Sequence, residues 1–220
     1  MGSVPFTVYD FFAYLSSGAV LIITGDYVWH LGLLDSRKAG PVAIAALVIL
    51  AYVIGHIVAQ FSALLFEQVI VARYLRRPLD LLLREKARRR YLAFVFPNFH
   101  RPLPETTCQR IKEQAERRSC IAVGEGLFLH AYSLVTADER AQARLDTFRN
   151  QYGFARNMSF SLAVAAIAIA VAHFGGSREV RVRWCLLAAF GSLSLFYRYL
   201  KFFRQFSYEL LIRYAELPTP

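Results

Sequence analysis

GPVAIAALVILAYVIGHIVAQFSALLF, residues 40–66, runs for 27 residues without one Asp, Glu, Lys or Arg. A helix rising about 1.5 Å per residue over that length exceeds the roughly 30 Å of hydrocarbon in a bilayer, so the stretch reads as one membrane span. Peptide groups find no water inside lipid, and a helix bonds them all within a single segment. Working outward, three shorter uncharged stretches repeat the pattern: 21 residues at 157–177, 15 at 11–25 and 14 at 184–197. The last two reach span length if flanking Arg side chains extend to the headgroups and Tyr9, Tyr27, Trp29, Trp184, Tyr197 and Tyr199 sit at the interfaces. The alternative is that one of them is a buried or interfacial helix.

Of the 220 residues 56% are hydrophobic and 19% charged, against about 25% charged in a typical soluble domain. The opening MGSVPFTVYD has neither a basic region nor a small-residue cleavage site, so the first stretch is expected to be a mature span and not a cleaved signal. Near the span ends 13 Lys and Arg fall on one side, against Arg37, Lys38, Arg178, Arg181 and Arg183 on the other. By the positive-inside bias, both termini and the long central loop of this multi-pass protein are expected in the cytoplasm. The expected fold is all-α and integral to the membrane, with spans one and two in 1–66, a basic helical cytosolic domain in 67–157, and spans three and four in 158–220 with a cytosolic helical extension.

The central segment holds 17 basic and 10 acidic residues, interleaved with Tyr91, Phe94, Phe96, Phe99 and His100. Such a mixture binds phosphates and stacks bases, but it also satisfies the positive-inside bias and attracts anionic lipid. Its densest cluster, Arg84, Lys86, Arg88, Arg89 and Arg90, is the expected anionic-ligand or lipid site. Thr136 with Glu139 matches a capping box, after which Ala141, Leu145, Phe148, Tyr152 and Ala155 form an apolar stripe running into the third span.

Catalytic and metal motifs are missing from the sequence, and no cofactor is implied. Cys108, Cys120 and Cys185 lack CxxC spacing, and the five His are scattered without ligand spacing. Gly191-Ser192-Leu193-Ser194 reads as a packing face in preference to a protease nucleophile. An enzyme is therefore not expected.

Polar residues at membrane depth are more informative. His56, Gln60 and Glu67 share one face of a continuous helix at i, i+4 and i+11. They either line a pore or hydrogen-bond across helices to hold the spans together. Gly55, Ala59 and Ser62 form a neighbouring small-residue face suited to oligomerisation. In the fourth span Arg198 and Lys201, with Arg204 near their edge, form a basic stripe at the expected inner mouth. A ring of them would select anions, while single side chains would merely reach headgroups.

The run Tyr9-Asp10-Phe11-Phe12-Ala13-Tyr14-Leu15 with Gly18-Ala19-Val20-Leu21, then Gly55-His56, Ser62 and Glu67, then Arg156-Asn157-Met158, resembles small bacterial four-span membrane proteins. Some of these are effectors of anti-phage defence systems, the Hailong-type channel effector being the nearest comparison. The resemblance implies a homo-oligomeric ion channel of a bacterial inner membrane; a tetramer is a guess at the subunit number and not part of what the resemblance implies. The resemblance further implies a nucleotide or oligonucleotide ligand at the basic cytosolic face and a cytosolic enzyme that produces that signal. From a different class stands a non-conducting membrane anchor or adaptor that recruits a cytosolic partner. A lipid-modifying enzyme would need an acid, base or metal constellation that these residues do not assemble.

Overall fold

The computed structural model describes residues 8–35, 40–83, 90–118, 120, 124–176 and 182–218. Among them the chain is helical throughout its regular structure, without a strand. The helices are α1 (Val8–Trp29), α2 (Pro41–Ser62), α3 (Pro78–Leu82), α4 (Arg90–Val95), α5 (Glu105–Arg117), α6 (Glu125–Val135), α7 (Glu139–Phe174) and α8 (Val182–Ala215), with a π-helical stretch, Ala63–Leu75, continuing α2. Among the described residues three helical stretches are long and apolar enough to cross a membrane: Phe11–Trp29, Pro41–Leu82 and Glu139–Phe174. These are the features of a membrane protein. α8 has the length at 34 residues, but Arg183, Arg198, Lys201 and Arg204 interrupt its apolar run.

Local chemistry explains the helix ends. After α1 the chain turns through His30 and Gly32, both at positive φ, and Asp26 Oδ1 closes the turn by accepting the Leu33 N–H at 2.7 Å. Pro41 sits in the first turn of α2, where its missing N–H costs no helical bond. The π stretch ends at Arg76, held at φ +73°, and Arg77 is extended as the following Pro78 requires. α7 starts differently from the expected capping box: Asp138 Oδ1 accepts the Arg140 N–H at 3.0 Å, while the Thr136 hydroxyl donates back to the Tyr132 carbonyl at 2.7 Å. Aspartate two residues upstream reaches a free helix amide directly, and Thr136 is spent finishing α6.

The chain divides into two compact units. The first comprises residues 1–67 and 153–199. Within it α1 and α2 cross with backbone against backbone. A Cβ on Gly18 would lie 1.8 Å from the Ala51 carbonyl oxygen, and one on Gly55 would lie 1.9 Å from that of Tyr14. Glycine at both points is what permits this approach, the small-residue packing that joins helices where no hydrophobic drive operates. α7 and α8 are clasped by Ser159 and Ser192, each donating its hydroxyl to the other's backbone carbonyl, at 2.8 and 2.9 Å. Phe66 fills the space among Phe160, Phe196 and Tyr199. Large apolar side chains such as Ile49, Phe61, Val171 and Phe190 point outward, as they do in contact with lipid.

The second unit comprises residues 68–152 and 200–220 and has an apolar core of its own. Leu82, Leu103, Ile111, Ala131, Val135 and Leu145 pack there with Leu210, Leu211 and Tyr214 of α8. Buried polar groups are tied down: Gln114 donates to the Leu217 carbonyl at 3.0 Å, and Glu209 accepts from Arg144 at 2.9 Å and Arg213 at 3.2 Å. Burial pushes the Tyr214 phenol above its ordinary range, with Cys120 adding to the rise, so the ring enters this core neutral.

Candidate functional site

The π stretch determines which polar groups meet. Its i→i+5 spiral turns less per residue than an α-helix, so side chains beyond Ala63 fall out of step with those before it. The expected single stripe of His56, Gln60 and Glu67 is thereby split. Glu67 accepts a hydrogen bond from Arg156 Nη1, forming an ion pair with side chains 32% and 14% exposed. Beside it Asn157 Oδ1 accepts from Arg156 Nε at 3.2 Å and from the Ser62 hydroxyl at 2.7 Å. Ser62 and Asn157 are buried. Ser62, Glu67, Arg156 and Asn157 thus form one connected polar network between α2 with its π continuation and α7.

His56 and Gln60 take another environment. The His56 ring stacks on Tyr14 at 4.2 Å and meets Tyr52 edge-on at 4.6 Å. Both residues are nevertheless exposed, and neither side chain hydrogen-bonds to a described residue of its own chain. His56 lies about 22 Å along the helix from Pro41, inside hydrocarbon thickness. The neighbouring small-residue face is occupied within the chain: Gly55 by the Tyr14 backbone and Ser62 by Asn157. Those residues therefore serve packing within the chain, whereas the His56 and Gln60 side is left exposed.

On α8, Arg198 and Lys201 are exposed, and Arg204 is half-buried with its guanidinium 5.6 Å over the Tyr208 ring. Arg204 also donates to the Arg101 carbonyl at 2.8 Å. Arg84, Lys86, Arg88, Arg89 and the side chain of Arg90 lie outside the described residues, as do Arg37, Lys38, Arg178, Arg181 and the side chain of Tyr9. Among the described residues no group of three or more His, Cys, Asp or Glu is placed to hold a metal ion. The Ser192 hydroxyl donates to the Ser159 carbonyl at 2.9 Å, between α7 and α8. Replacing Ser159 with Ala is expected to lower stability by about 0.5–1.5 kcal/mol, the range for interhelical hydrogen bonds in membranes. Thermal unfolding in detergent reads this directly, and an unchanged midpoint would show that the clasp contributes nothing.

A cavity of about 530 Å³ opens between α1, α7 and α8, lined by apolar side chains including Ile23, Leu162, Ile169 and Leu187. Its chemistry suits hydrocarbon and not a hydrated ion. The polar network with Arg156 was missed in the sequence because an Arg flanking a span reads as a headgroup anchor; its spacing carried no pairing signal. Compared with protein-family models, curated proteins and solved structures, the chain matches none.

Proposed function

We propose that this chain is an oligomeric membrane effector that forms an ion channel, gated at a basic cytosolic domain by an anionic nucleotide, oligonucleotide or partner, in bacterial anti-phage defence. In this reading the chain crosses the inner membrane four times, with α8 as the fourth span and both termini in the cytoplasm. The reading is carried by His56 and Gln60, polar side chains exposed on an otherwise apolar helix and without a hydrogen bond to any described residue of their own chain. Uncompensated polar groups at bilayer depth are expensive and face either protein or water. Subunits meeting on this side satisfy both conditions at once, with His56 and Gln60 at the shared surface or along the path it encloses. Arg198 and Lys201, exposed on successive turns of α8, then provide the positive inner mouth.

Flux from potassium-loaded liposomes tests the proposal, with cyclic and linear oligonucleotides as candidate ligands. Wild type is expected to release ions with one of them, and the double substitution His56→Leu, Gln60→Leu to reduce the rate about tenfold or more while shifting the particle toward monomer in size-exclusion chromatography. A correctly oligomeric wild type that stays impermeable with every ligand would count against a channel.

The adaptor reading is favoured by a separate observation, the independent core of residues 68–152 and 200–220. It predicts no flux, and loss of partner recruitment when Arg84, Lys86, Arg88, Arg89 and Arg90 are neutralised.

A further inference from the structure

Arg204 belongs to a charge arrangement that has no carboxylate counterpart among the described residues. Its guanidinium is pinned from two directions, by the Arg101 carbonyl and by the Tyr208 ring, so it does not swing freely in solvent. Its Nε is buried without an acceptor among the described residues. Arg101 itself is exposed, and the short Pro-flanked turn that carries it is anchored by buried Phe99 and Leu103, the latter donating its N–H to the Leu82 carbonyl at 3.1 Å. Two cations therefore belong to neighbouring positions of one unit, Arg204 pinned and Arg101 exposed on the turn whose carbonyl holds it, and neither pairs with a carboxylate among the described residues. Burial lowers the proton affinity of Arg204; Tyr208 opposes that effect and Arg101 adds to it. A guanidinium stays charged under such pressure, and holding it half-desolvated beside a like charge is unfavourable until an anion arrives.

We propose that Arg101 and Arg204 form a phosphate-binding site, in which the fixed Arg204 fork and the exposed Arg101 side chain bracket one phosphate group. Arginine suits this because its planar donors match phosphate oxygens in pairs. The phosphate belongs either to a phospholipid headgroup or to a free nucleotide-type ligand; both present the same oxygens. The site rests on the anionic-ligand step of the proposed function and gives that step residues outside the Arg84 to Arg90 cluster.

The test uses the full chain in nanodiscs, with inorganic pyrophosphate as the soluble probe and phosphatidylglycerol as the lipid probe. In zwitterionic discs, wild type is expected to bind pyrophosphate saturably, and Arg101→Gln to weaken it about tenfold while leaving the Arg101 carbonyl in place for Arg204. Arg204→Lys, which keeps the charge and removes the fork, is expected to weaken it as well. If the natural source is lipid, native mass spectrometry will show phosphatidylglycerol retained by wild type and shed by Arg101→Gln, and that lipid will compete with pyrophosphate. Equal binding of both probes by wild type and both variants overturns the site, whatever the flux assay gives. Arginine-dependent binding in a protein that conducts nothing would keep the site and remove the channel.

Discussion

Gly55→Leu is expected to eliminate recoverable folded protein, and Gly55→Ala to lower thermal stability by about 1–3 kcal/mol, the usual cost of overpacking. The reason lies in what the added atom meets. A Cβ at Gly55 would stand 1.9 Å from the Tyr14 carbonyl oxygen and 2.5 Å from its carbon, both backbone atoms that no side-chain rotation can move aside. α1 and α2 would have to separate, and with them the stacking of Tyr14 on His56. Gly18 is the reciprocal position, 1.8 Å from the Ala51 carbonyl oxygen, so Gly18→Ala should reproduce the defect. Gly153 is the matched control: it lies within α7 with nothing within 4 Å of a built Cβ. Gly153→Ala should therefore raise stability by roughly 0.5–1 kcal/mol through helix propensity alone. Size-exclusion recovery in mild detergent and the tryptophan-fluorescence melting midpoint measure all four. A Gly55→Ala protein that melts with wild type would show that the two backbones do not approach as described.

The sequence carried the elements of this fold better than their partnerships. Residues 40–66 announce a helix because they carry no charge and are dominated by Ala, Val, Ile, Leu and Phe over more than a bilayer's thickness, and Ala141, Leu145 and Ala155 do turn one buried face inward along α7. Two kinds of information were not written in the pattern. One is helical phase: thirteen residues of π-helix, Ala63–Leu75, leave no mark in composition, so counting at 3.6 residues per turn placed Glu67 beneath His56. The other is long-range packing: Leu210, Leu211 and Tyr214 fall in the expected cytosolic helical extension, where nothing in the pattern told that they close the core made by Leu82, Ile111 and Val135, more than sixty positions away. Aromatic, leucine-rich helix is equally at home against lipid and against protein, and hydropathy alone does not separate the two. Motif residues fared better than their expected roles. Ser62, Glu67, Arg156 and Asn157, noted as short separate signatures, converge into a single network.

That network supports the second large effect. Arg156→Met should destabilise by about 2–4 kcal/mol, somewhat under the top of the range for a fully buried pair because Glu67 keeps a third of its side chain exposed. The loss comes from the carboxylate left behind: Glu67 would remain among apolar neighbours with no cation, and Asn157 Oδ1 would keep the Ser62 hydroxyl as its donor. Glu67→Gln should cost less, since Arg156 still bonds Asn157 and the glutamine amide oxygen still accepts a hydrogen bond. The double substitution Glu67→Gln, Arg156→Met removes both charges together and should recover at least about 1.5 kcal/mol relative to the sum of the singles, the coupling expected of partners in direct contact. Thermal unfolding of the four proteins in one detergent gives the cycle. Additivity within about 0.5 kcal/mol would mean that the two side chains act independently. Glu67 sits inside the π stretch, whose register directs it toward Arg156 of α7, so in the channel reading the single variants should change liposome flux more than the double variant does. Equal flux from all four proteins would separate the network from gating and leave it as a fastening between helices.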